Sequence, residues 1–173
     1  MEIITKNYFN ENGDQVYNIS IMGIDTGHFT QNSYQFMDRV NESGVFCVGL
    51  KGKGLTTNRR IEANTTIYSK SKERNDLYLV EVNQVKDELA GLMNLNWIEN
   101  DDVLQPNGFM NFPTPSENKY TMKSYFSHFE SEQKILKTDS SGKESAFNWE
   151  KRNASVMNHF WDVKIYNMTV KEI

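Results

Sequence analysis

Two aspartates, far apart in the chain, occupy settings in which a carboxylate can do chemistry. Asp25 ends the run Gln15-Val16-Tyr17-Asn18-Ile19-Ser20-Ile21-Met22-Gly23-Ile24. β-Branched and aromatic residues dominate one parity of that run, as in a strand with a buried face. A carboxylate at the C-terminal tip of such a strand stands where open α/β sheets place their ligands. The following Thr26-Gly27 equally suits a plain turn, with Asp25 capping a helix that starts near Phe29 or Thr30, and both readings stand. Asp162 lies on a closing helical segment, in line with Asn158 and Tyr166 at intervals of four. Its flank Asn158-His159-Phe160-Trp161 carries no full charge, so aromatic residues border it. The plainer alternative is a half-exposed Asp bonded to Asn158 or His159.

A strand-end Asp facing a helix Asp is what hard divalent cations require. Mg²⁺ takes oxygen ligands and keeps several waters, so two or three carboxylates suffice. Two such ions about 4 Å apart activate a water and stabilise the leaving oxygen of a phosphodiester. Other chemistries lack their signatures. No HExxH or thiolate cluster exists for zinc, no GxxxxGK[ST] loop for ATP, and no GxSxG elbow for a serine nucleophile. The single Cys47 sits in the apolar run Val45-Phe46-Cys47-Val48, which reads as a buried structural thiol in a reducing compartment.

The formal charge of -4 argues against a generic nucleic-acid coat, but the chain is polarised. Between Lys51 and Arg74 seven basic residues, among them Lys51, Lys53, Arg59 and Arg60, face only Glu62 and Glu73. That segment carries +5 and leaves -9 for the rest. A basic stripe of this kind can hold a phosphate backbone on an acidic protein, or be a solvated face. Lys51-Gly52-Lys53-Gly54 likewise reads as a close phosphate contact or as a polar loop.

The elements that must position these residues follow from periodicity. Residues 1–14 are a lead-in ending in the turn Asn12-Gly13-Asp14. Tyr34, Met37 and Val40 predict a helix over Gln31 to Asn41, closed by Glu42-Ser43-Gly44. Val45 to Leu50 reads as a strand covered on both faces, completing a βαβ unit with parallel strands. Residues 55–76 read as a loop or irregular hairpin, and Leu77 to Val82 as a third strand. Val85, Leu89 and Leu92 give the next helix its core stripe, with Lys86, Asp87 and Glu88 outside. Further on, Phe109 to Pro113 suggests a short strand and Tyr120 to Gln133 a helix. A hairpin is expected around Thr138 to Lys143, and a final helix over Asn153 to Lys171 with Val156, Phe160, Val163 and Val170 inside. At 173 residues, 38% hydrophobic and with a mean hydropathy of -0.67, this is a polar single domain over 1–173. Neither a membrane span nor a signal peptide is expected from it.

These residues also carry a resemblance. Ile24-Asp25-Thr26-Gly27-His28, then Tyr34-Gln35-Phe36 and Leu50-Lys51-Gly52, resemble the nuclease region of the lambda-type large terminase subunit of tailed phages. Leu77-Tyr78-Leu79-Val80 with Lys86, Asn111-Phe112-Pro113, and Tyr125-Phe126 with Glu130 and Glu132 follow in the same order. Trp149-Glu150-Lys151, Arg152-Asn153 and Asn158 to Asp162 with Tyr166 complete a match spanning roughly residues 15–170.

The resemblance implies a ribonuclease H-like α/β fold, a mixed sheet flanked by helices, as in retroviral integrases. It implies a metal-dependent endonuclease that cuts concatemeric double-stranded DNA with two Mg²⁺ or Mn²⁺ ions. Asp25 matches the carboxylate of the central strand, Asp162 that of the closing helix, and Lys51 a lysine assigned to a DNA phosphate. His159 and Asn158 would then be outer partners of Asp162. The implied partners are DNA, an ATPase domain, a small subunit and a portal, in the host cytoplasm. In the family an upstream hairpin carries a further metal-binding Asp, whereas residues 1–14 offer only Asp14 in a turn. The expectation is therefore a domain lacking its first hairpin, an incomplete or split form, or else a non-catalytic DNA-binding or assembly fragment.

Overall fold

The computed structural model describes residues 2–10, 12–53, 61–68, 74–98, 103–112, 125–138 and 140–173. The chain divides into two compact units, Met1–Val82 with Tyr166–Ile173, and Asn83–Ile165.

The first unit opens with a small hairpin that includes the lead-in residues and their turn. β1 (Tyr8–Phe9) pairs antiparallel with β2 (Val16–Tyr17) around Gly13, whose φ of 74° is the left-handed geometry that the Asn-Gly turn anticipates. The long alternating run is broken at residues 18–20 and resumes as β3 (Ile21–Asp25). Then come α1 (Thr30–Glu42), β4 (Phe46–Gly52), β5 (Ile61–Tyr68) and β6 (Arg74–Val80). The sheet order is β3-β4-β6-β5, with β3, β4 and β6 parallel and β5 antiparallel to β6. The expected βαβ unit is thus present, and the stretch read as a loop or irregular hairpin holds β5, with an irregularity between Glu62 and Thr65.

One sheet face is covered by α1. Its residues Tyr34, Met37 and Val40 join Val45 and Cys47 in a core that Met22 and Ile24 also contact. A polar clasp holds the same layer. The side chain of Asn75 donates to Asp38 (2.7 Å), and Asn41 accepts from the Cys47 amide (2.7 Å) and donates to Asn75 (3.3 Å). Both Asp38 and Asn75 are buried, so each needs these partners. The other face carries Gly23, Leu50 and Gly52, and here the chain end from Tyr166 packs closely. A Cβ built on Gly23 would stand 2.5 Å from Val170 Cγ2 and 2.6 Å from Leu50 Cδ1.

The second unit holds most of α2 (Val82–Met93), the hairpin of β7 (Glu132–Thr138) and β8 (Glu144–Lys151), and the start of α3 (His159–Val170). The hairpin falls where turn chemistry placed it, with Gly142 at φ 80°. Four expectations need correction. Lys86 is not outside: it is buried and its Nζ meets Glu132 Oε2 at 2.6 Å, with Asn158 Nδ2 donating to Glu132 Oε1 at 2.8 Å. The helix expected over Tyr120 to Gln133 is, among its described residues, one 3-10 turn, Phe126–His128. It ends where the Ser131 hydroxyl bonds the His128 carbonyl at 2.6 Å, before β7. Phe109 to Phe112 forms no strand; Phe109 instead packs edge-on to Trp97, with centroids 5.6 Å apart. Finally α3 begins at His159, not Asn153, because the Asn153 side chain accepts from the Ser155 amide and hydroxyl in a local turn. Its buried line is Trp161, Ile165 and Thr169, whereas Val163 is 60% exposed. The largest apolar side chain, Trp161, sets the phase of the helix.

Candidate functional site

β3 delivers Asp25 to the C-terminal end of the parallel strands, exposed to solvent. Its Oδ1 accepts the Gly27 N–H at 2.8 Å, so the turn reading of this residue is realised. Helix capping is not: α1 has Phe29 as its N-cap, with no side-chain cap bond. The turn leaves Asp25 Oδ2 with no hydrogen bond among the described residues. Gly27 is part of the arrangement, since a Cβ there would lie 3.1 Å from Asp25 Oδ1. The buried Thr26 anchors the loop, its amide and hydroxyl both donating to the Leu50 carbonyl at 2.9 and 3.1 Å.

The strand pairing decides what stands beside Asp25. Its partner across the ladder is Leu50, so Asp25 shares a face with Leu50 and Gly52, while Lys51 leaves from the opposite face. Lys51 and Lys53 are exposed, in no ion pair among the described residues, at the same end of the sheet. Arg59 and Arg60 lie outside the described residues. On the face of Asp25, the Tyr166 hydroxyl accepts the Gly52 amide hydrogen at 3.2 Å.

Asp162, His159 and Asn158 belong to the second unit. Asp162 is half-buried in the first turn of α3, its amide donating to the Asn158 carbonyl at 3.0 Å. The Asn158 side chain is committed to Glu132, and His159 is exposed with its ring 6.0 Å from that of His128. The thiol of Cys47 is buried and pushed up from 9.0 to about 11 by that burial, which suits a structural residue.

Two features escaped the sequence reading. Glu81, directly after β6, is buried at the same end of the sheet as Asp25. Phe29 is 84% exposed with φ 50°, a left-handed conformation that is rare for an aromatic residue and sits four residues after Asp25. A strand ending in Asp before Thr-Gly hints at the second, because so tight a strand-to-helix turn needs one residue in that region.

Among the described residues no three His, Cys, Asp or Glu side chains cluster as a metal cage. A hard cation at this strand tip would have one or two carboxylates and water for ligands, and the Asp25 oxygen that makes no hydrogen bond among the described residues is a donor of that type. The first unit is thus a mainly parallel α/β sheet whose C-terminal edge presents an acidic strand tip, the place where such sheets bind ligands. The family model "Terminase large subunit gpA, endonuclease domain" matches residues 1–173, and the chain belongs to this family. No curated protein and no solved structure matches it. Among the described residues no helix is long and apolar enough to cross a membrane.

Proposed function

We propose that this chain is a metal-dependent DNA endonuclease of ribonuclease H-like design, acting on double-stranded DNA in a phage packaging machine in the host cytoplasm. The observation that carries the reading is Asp25: an exposed strand-tip carboxylate, one oxygen held by the Gly27 amide and the other open. Asp25 and Asp162 are the proposed ligands of Mg²⁺ or Mn²⁺, with His159 and Asn158 supporting Asp162. The bound ions would supply an activated water and neutralise the charge of the leaving oxygen. Lys51, Lys53, Arg59 and Arg60 hold the phosphate backbone, a role that long cationic side chains suit. The ATPase domain, small subunit and portal are the proposed neighbours.

Calorimetric titration of the chain with Mn²⁺ tests the ligand assignment. Asp25→Asn and Asp162→Asn should each weaken Mn²⁺ binding at least ten-fold. Unchanged binding in either variant removes that residue from the site. Metal-indifferent DNA binding, with no Mn²⁺ bound, would favour the assembly fragment instead.

A further inference from the structure

We infer that a cavity within the second unit receives the base of an unpaired nucleotide. It encloses about 740 Å³, a size that small-ligand sites share, and its wall includes Met93, Phe129, Trp149, Arg152 and Trp161. This inference does not rest on the metal-site reading.

The wall combines the rings of Phe129, Trp149 and Trp161 with polar and charged side chains. The rings of Trp149 and Trp161 lie 5.5 Å apart at 49°, and Phe129 meets Trp161 edge-on at 5.9 Å. Asp87 fixes the half-buried Trp149 through its indole N–H at 2.9 Å, leaving a preoriented ring for stacking. Bases stack on such rings whatever their identity, because every base has a π-face.

The polar groups narrow the ligand further. Trp161 is 2% exposed, and its indole N–H is buried without an acceptor among the described residues. That nitrogen has no accessible surface, so Trp161 backs the wall and does not itself bond a ligand. Arg152 Nε donates to the Glu130 carbonyl at 2.8 Å, which holds an exposed guanidinium at the rim. No ion pair engages that guanidinium among the described residues, so it is open to a phosphate oxygen. Of the other lining charges, Glu132 is matched by Lys86 at 2.6 Å and Lys134 by Asp87 at 2.9 Å, while the exposed Glu130 carboxylate is in no ion pair among the described residues. Recognition is therefore driven by the base, with one phosphate contact and a shallow salt dependence. An aromatic peptide side chain would fill the space but bring no anion to Arg152.

The test is fluorescence anisotropy of the full chain with a labelled thymidylate octamer, in EDTA so that no metal-bridged contact contributes. Saturable binding is expected, about ten-fold or more stronger than for a blunt duplex or an abasic octamer, which keeps every phosphate but has no base. Trp149→Ala should weaken it about ten-fold, Trp149→Phe much less, and Arg152→Gln at least three-fold. Arg152→Gln keeps the test open if Trp149→Ala fails to fold, which a thermal melt would reveal. Absence of binding, equal binding of the abasic strand, or indifference to Arg152→Gln and a folded Trp149→Ala each overturns the inference.

Discussion

The phenolic oxygen of Tyr166, on α3, accepts the amide hydrogen of Gly52 at the end of β4, across 3.2 Å. Gly52 permits this approach, because a Cβ there would stand 3.1 Å from Val82 Cγ1 and 3.4 Å from the Tyr166 hydroxyl. The last turns of α3 are thereby seated over the sheet face that ends in Asp25. Tyr166→Phe removes the acceptor and should cost about 1 kcal/mol in urea denaturation. No change would mean that water replaces the hydroxyl without loss.

The same face makes a packing prediction at Gly23. An added methyl would meet Val170 Cγ2 at 2.5 Å and Leu50 Cδ1 at 2.6 Å, contacts that force repacking. Gly23→Ala should destabilise by about 1–3 kcal/mol. Val170→Ala in that background should return part of the loss, and strict additivity of the two changes would contradict the contact.

Cys47 predicts a pH dependence. Burial raises its thiol from 9.0 to about 11, so the folded chain keeps a proton that the unfolded chain releases first. The resulting stability is whole below pH 9, declines as pH rises, and is gone above about pH 11. Its size is about 2–3 kcal/mol. Denaturation of the wild type and Cys47→Ala across this range should show the steeper fall in the wild type.

The buried pair Lys86–Glu132 predicts strong coupling. Lys86→Met leaves the Glu132 carboxylate buried with the Asn158 amide as its remaining side-chain partner among the described residues, and should cost about 3–5 kcal/mol. The double variant Lys86→Met with Glu132→Gln should be more stable than Lys86→Met alone, measured by chemical denaturation. A double variant that is worse would show that the carboxylate has other support.

What sequence could and could not reveal divides along physical lines. Tyr34, Met37 and Val40 announced α1 because one helix face repeats locally, and the Gly142 turn announced its hairpin for the same reason. Lys86 reads as surface because its type is normally solvated. Its burial depends on Glu132, 46 residues later, and no local pattern carries that. The phase of α3 was misread because Trp161 outweighs the valines in buried area. At the candidate site the strand tip Asp25 was legible from alternation. The register that sets Leu50 rather than Lys51 beside it is a property of the pairing.

The most direct test of the proposed activity is Mn²⁺-dependent nicking of supercoiled plasmid by the chain and by Asp25→Asn. Asparagine keeps the oxygen that accepts the Gly27 amide, so the turn and the melting temperature should be preserved while the anionic ligand is lost. The account predicts nicking by the wild type, abolished by EDTA and reduced at least a hundred-fold in Asp25→Asn. Undiminished nicking by a folded Asp25→Asn, or none by the wild type with Mn²⁺ present, would contradict it.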